Sequence, residues 1–67
     1  MKITINDTEK TVADGTSVAS LIKEMYPEAT GGIAVSIGNK IVRKAEWESR
    51  IICEGDEIVI IRAAYGG

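Results

Sequence analysis

The chain has 67 residues, 45% of them hydrophobic and 27% charged, with a formal net charge of −2, one cysteine and no histidine. At this length it forms one domain that buries only about 60% of the surface its unfolded form exposes, leaving no room for an enclosed active site. The acidic balance excludes a nucleic-acid binder, which needs a clustered basic surface. The missing histidine removes the commonest general base and metal ligand, and a lone cysteine excludes an internal disulfide framework and fits a reducing compartment.

Residues 2 to 6 alternate, with Ile3 and Ile5 on one face, where a signal peptide would run apolar without interruption. Asn6-Asp7 supplies turn residues and Lys10-Thr11-Val12-Ala13 resumes a shorter strand, which makes an N-terminal β-hairpin. Asp14-Gly15 breaks it. Thr16 or Ser17 then caps a helix whose apolar positions Val18, Leu21, Ile22 and Met25 recur at i, i+3, i+4 and i+7. Lys23 and Glu24 occupy its opposite face, and Pro27 ends it, lacking the backbone donor a further turn requires.

Gly31-Gly32 opens a loop into Ile33-Ala34-Val35-Ser36-Ile37, whose alternation marks a half-buried strand. This internal diglycine carries no free carboxylate and reads as a turn. Gly38-Asn39 is a two-residue hairpin signal that returns the chain through Lys40-Ile41-Val42-Arg43. Lys40, Arg43 and Lys44 form a small basic cluster, but Glu46 and Glu48 follow at once, as on an ordinary mixed solvated face. Lys44-Ala45-Glu46-Trp47 has the character of a short helical turn, with Trp47 anchoring the segment on the core edge.

Ile51-Ile52 is expected to pair briefly before Cys53-Glu54-Gly55-Asp56 turns the chain, with Gly55 supplying a positive φ. Cys53 sits where a small buried hydrophobe fits; Glu54, Asp56 and Glu57 disfavour a thiolate, so the residue is expected to be structural. The strand Glu57 to Arg62 carries Ile58 and Ile60 on one face and Val59 and Ile61 on the other. A strand apolar on both faces belongs in the centre of a sheet. A single helix covers only one sheet face, which leaves Val59 or Ile61 as a partner surface. Ile58 to Ile61, the longest apolar run in this region, is far short of the roughly 20 residues that span a bilayer, and the protein is expected in the cytoplasm.

The final strand runs into Ala64-Tyr65-Gly66-Gly67, whose two glycines make a slender tip able to enter a narrow channel. The order hairpin, helix, hairpin, turn and central last strand, followed by this diglycine, resembles the ubiquitin-like β-grasp sulfur carriers and, within them, the ThiS family. The likeness covers the chain end to end. It is carried by the opening Met-Lys-Ile-Thr-Ile-Asn, by Asn39-Lys40-Ile41-Val42-Arg43-Lys44-Ala45-Glu46-Trp47, and by the Glu54-Gly55-Asp56-Glu57-Ile58 approach to Gly66-Gly67. Tyr65 departs from the pattern, being bulky where many relatives carry a small residue.

The resemblance implies an α+β fold: a mixed sheet of four to five strands on one helix, with residues 1–63 as the domain and 64–67 as a flexible tail. It implies a carrier and not an enzyme, with no catalytic or metal-binding residue and no cofactor of its own. A ThiF-like adenylyltransferase using ATP and Mg would activate the carboxylate of Gly67, which is ionised at neutral pH and otherwise a poor electrophile. Sulfur from a persulfide donor enzyme would then leave a thiocarboxylate for a ThiG-like thiazole synthase. Gly66, Tyr65 and Ala64 would be the threaded segment, reaching with Gly67 about 13 Å, and Val59 and Ile61 the partner surface of a carrier that is monomeric when free. A carrier for molybdopterin or cysteine synthesis, a ubiquitin-like modifier of protein lysines, and a binding module with an incidental tail are the alternatives.

Overall fold

Two tight turns set the sheet. In the computed structural model, which describes residues 1–27 and 32–62, Asn6 and Asp7 both have positive φ, as do Gly38 and Asn39. That combination is what a type I′ hairpin turn requires, and its twist matches that of the flanking strands. The first turn joins β1 (Lys2–Ile5) to β2 (Thr8–Thr11) with Ile5 opposite Thr8, and the second joins β3 (Ile33–Ile37) to β4 (Lys40–Val42) with Ile37 opposite Lys40. Strand β1 stops one residue earlier than its alternation suggests because Asn6 is already in the turn, and β2 accordingly starts at Thr8, before Lys10.

Strand β5 (Glu57–Arg62) lies parallel to β1 and antiparallel to β3, giving a five-stranded mixed sheet in the order β2-β1-β5-β3-β4. The helix α1 (Val18–Met25) covers one face of this sheet. Ser17 is its N-cap, the side-chain oxygen accepting from the Ser20 N–H at 3.1 Å. The next orphan donors are met from outside the helix: the N–H groups of Val18 and Ala19 donate to the carbonyls of Arg50 and Trp47, each at 2.9 Å. The segment before β5 is thus tied to the start of the helix. Its 3-10 turn, Lys44–Glu46, lies where a helical turn is expected, and the Trp47 indole is partly buried and donates to the Val42 carbonyl at 3.0 Å.

The core comprises Ile3 and Ile5 of β1, Val35 and Ile37 of β3, Ile58 and Ile60 of β5, and Val18, Leu21 and Ile22 of α1, closed at its ends by Val12 and Ile52. Met25 packs against it only partly buried. This is the β-grasp architecture that the order of elements implies. The helix covers one face, and the faces of β5 divide as its alternation requires.

One expectation is overturned. Cys53 is exposed, not buried. Ile52 fills the core position instead, its N–H donating to the Thr16 carbonyl at 2.9 Å while Ile51 forms an isolated bridge with Ser17. The chain then enters a turn with Gly55 at φ 83, in which the Asp56 carboxylate accepts from the Cys53 N–H at 2.8 Å. That turn directs the thiol outward. Gly31 of the internal diglycine and the expected tail, residues 64–67, lie outside the described residues.

Urea unfolding should separate the two neighbours. Ile52→Ala should lose about 2–5 kcal/mol through its cavity, whereas Cys53→Ala should stay within about 0.5 kcal/mol of the parent.

Candidate functional site

With α1 on one face of the sheet, the opposite face is left open. Along β5 the core takes Ile58 and Ile60, while Val59 and Ile61 face outward, 44% and 62% exposed. Pairing places Ser36 beside Val59 and Ile41 beside Ser36, so that Val59, Ser36 and Ile41 form one row across three strands; Ile61 and Ala34 form the next. Ile41, 79% exposed, is the barest apolar side chain of this face. Sequence reasoning put both Val59 and Ile61 on this face but missed Ile41. The Gly38-Asn39 turn carried the signal, because a two-residue hairpin fixes Ile41 opposite Ser36 and hence on the outer face. At the start of β5 the same face turns polar with Thr4 and Glu57, so the apolar part lies toward the end from which residues 63–67 follow.

That end of β5 is held from three sides. Strand β3 pairs with it as far as Ile33 and Arg62. On the other edge, ladder pairing with β1 ends at Ile5 and Ile58, but the Asn6 N–H still reaches the Ile58 carbonyl at 2.9 Å. The Asn6 carboxamide then accepts from the Ile60 N–H at 2.9 Å and donates to the Ile60 carbonyl at 3.1 Å. The Arg62 guanidinium lies 4.8 Å from the centroid of the Tyr26 ring, at the C-cap of the helix, within cation–π range. Neither Asn6 nor Tyr26 stood out in the sequence: Asn6 reads as a turn residue, and nothing in the spacing brings Tyr26 to Arg62.

Cys53 is in the turn before β5, at the end of the strand opposite Arg62. Rising about 3.3 Å per residue, the strand separates its two ends by about 17 Å, so the thiol is remote from the point where the last five residues begin. Among the described residues, no group of three or more His, Cys, Asp or Glu side chains is placed to hold a metal ion, and no helix is long and apolar enough to cross a membrane.

Comparison with known proteins accords with this geometry. The model of the ThiS family matches residues 2–67. The chain belongs to the ThiS family. Among its relatives is the sulfur carrier protein ThiS of Escherichia coli K12, 30% identical over 67 residues, with all of both chains covered. The crystal structure of the thiamine biosynthesis protein ThiS from Geobacter metallireducens superposes with a TM-score of 0.83 at 19% identity over the whole of both chains. The solution structure of a thiamine biosynthesis protein from the same organism gives 0.81 at 20% identity, covering all of this chain and 88% of that one. These two likenesses establish the fold, and the family match extends through Gly66 and Gly67.

The two faces of β5 in this ThiS-family chain should respond oppositely to charge. Ile61→Asp should leave the circular dichroism spectrum unchanged and stability within about 1 kcal/mol. Ile60→Asp, which buries an unpaired carboxylate, should abolish cooperative unfolding.

Proposed function

We propose that this chain is the sulfur carrier of thiazole formation in thiamine biosynthesis, with Gly67 as the residue that carries the sulfur. The observation that carries this reading is the family match through Gly67 on a β-grasp head whose central strand leads into Ala63 to Gly67. A ThiF-like adenylyltransferase, with ATP and Mg, couples the Gly67 carboxylate to the α-phosphate and releases pyrophosphate. The outer sulfur of a persulfide on the donor enzyme then displaces AMP, which keeps one carboxylate oxygen, and forms an acyl disulfide. A second thiol attacks the donor's own sulfur, forms a disulfide with it and releases the Gly67 thiocarboxylate. A ThiG-like thiazole synthase receives the sulfur. The catalytic groups belong to the partners, and the work takes place in the cytoplasm.

In this division of labour residues 1–63 are the head that partners grip, and residues 64–67 are the part that threads. Ala64 and Tyr65 span the distance, Gly66 admits the tip, and four residues reach about 13 Å. Tyr65 makes that segment bulkier than a run of small residues. The grip falls on the outer sheet face, where Val59 and Ile61, extended by Ile41 and Ala34, offer apolar side chains that a partner can desolvate. Cys53 has no part in it, lying in the turn at the other end of β5, a strand about 17 Å long.

Intact-mass measurement tests the reading. After incubation with ATP, Mg, the adenylyltransferase and a sulfur donor, the chain should gain the difference between one sulfur and one oxygen. Deleting Gly67, or adding a residue after it, should abolish that gain while leaving the thermal transition in place, since the core is built from residues 3 to 60. Cys53→Ala should load normally. Conjugates to protein lysines would instead identify a modifier, and an extended chain that loads untrimmed would overturn the mechanism.

Ile61→Asp and Val59→Asp should weaken binding to the adenylyltransferase about tenfold or more, because each would place an unpaired charge in a desolvated contact. Titration calorimetry on the folded variants is the check.

A further inference from the structure

The end of β5 has an anchor that neither the turn nor the core explains. Asn6 has φ 51, the first of two consecutive left-handed residues in the β1–β2 turn. Glycine, aspartate or asparagine would all satisfy that backbone. Of these, only asparagine also offers a donor and an acceptor on one planar group. Here both are used on one residue, the acceptor at 2.9 Å from the Ile60 nitrogen and the donor at 3.1 Å from the Ile60 oxygen. The carboxamide therefore stands where the next residue of β1 would have paired, after β1 itself has turned away at Ile5. Ile60 is seven residues before Gly67.

We propose that Asn6 is a positioning residue for the chemistry at Gly67: its carboxamide clamps Ile60 on the edge of β5 that β1 has left, so that the last part of the strand is held on both edges and not by β3 alone. This rests on the sulfur-carrier reading. The outer face decides how tightly a partner holds the head, whereas the anchored strand end decides how often the terminal carboxylate arrives at the reacting phosphate. Without the clamp the last part of β5 is held by β3 alone, which widens the range of directions from which the carboxylate arrives, and a small misplacement of reacting groups lowers the rate of the chemical step more than it lowers affinity. The Arg62–Tyr26 contact steadies the next turn of the same strand end from the helix side. Asn6 bonds the backbone of β5 at its edge, whereas Val59, Ile61 and Ile41 expose their side chains on the outer face and keep their register through β3, so loss of the carboxamide leaves these docking residues in place.

The test uses the full chain as the varied substrate of the adenylyltransferase, with pyrophosphate release as the signal, in wild type, Asn6→Gly and Asn6→Asp. Asn6→Gly keeps the turn and removes the clamp; kcat should fall on the order of tenfold with KM unchanged, and the Ile60 amide should exchange hydrogen faster. Asn6→Asp keeps an acceptor and loses the donor, and should fall between the two; it also serves if the glycine variant does not fold. Ile52→Val, a core truncation away from this end, is the control for stability alone and should leave kcat at the wild-type value. Unchanged kcat in folded Asn6→Gly or Asn6→Asp, a change confined to KM, or an equal loss in Ile52→Val would overturn the positioning role. Absence of pyrophosphate release with the wild-type chain would instead overturn the carrier reading on which it rests.

Discussion

Strand β5 is hydrogen-bonded along both edges, and the rest of the structure depends on that placement. Its antiparallel pairing with β3 runs from Ile58 to Arg62, and its parallel pairing with β1 takes Glu57 and Ile58. Ile58 and Ile60 meet the helix, each contributing roughly 1.5–3 kcal/mol by burial. The first and last parts of the chain are thereby locked together, and the second hairpin is held on the far side. In a domain this small, in which eleven side chains among the described residues form the core, the central strand cannot be moved without losing both neighbours. The same placement makes β5 a firm base for the residues that follow it.

A firm base and a chemically plain surface suit a carrier. The described residues show cores, caps and turns that account for their polar groups: Ser17 caps the helix, the carbonyls of Trp47 and Arg50 take its next donors, and Asp56 closes the turn before β5. What remains open is an apolar face beside the strand end. In the proposed carrier cycle the fold would separate two tasks along one strand, with recognition on the outward side chains of β5 and delivery beyond Arg62. Because Val59 and Ile61 alternate with Ile58 and Ile60, the outer face can be altered without disturbing the core.

Most of the fold was legible in the sequence because local rules were obeyed. Asn6-Asp7 and Gly38-Asn39 take the positive φ values their types permit, Ser17 caps the helix that the spacing of Val18, Leu21 and Ile22 marks, and β5 is central as its two apolar faces require. Errors arose where the outcome depends on which of two neighbours turns inward. Cys53 and Ile52 are both compatible with a buried site before the turn, and the bond from the Ile52 N–H to Thr16, with the Asp56 turn beyond it, decides for Ile52. The site was legible in part. Val59 and Ile61 follow from alternation alone, Ile41 needs the hairpin register, and the contacts of Asn6 with Ile60 and of Arg62 with Tyr26 join residues far apart in sequence that only the folded sheet brings together.

In the proposed carrier cycle the sulfur is held on Gly67 and not on the thiol of Cys53. Fragmentation mass spectrometry of the loaded protein locates the added mass most directly. Every fragment containing Gly67 should carry the sulfur, and fragments containing Cys53 but not Gly67 should not. Sulfur found on Cys53, with the Gly67 fragment at its unmodified mass, would contradict it.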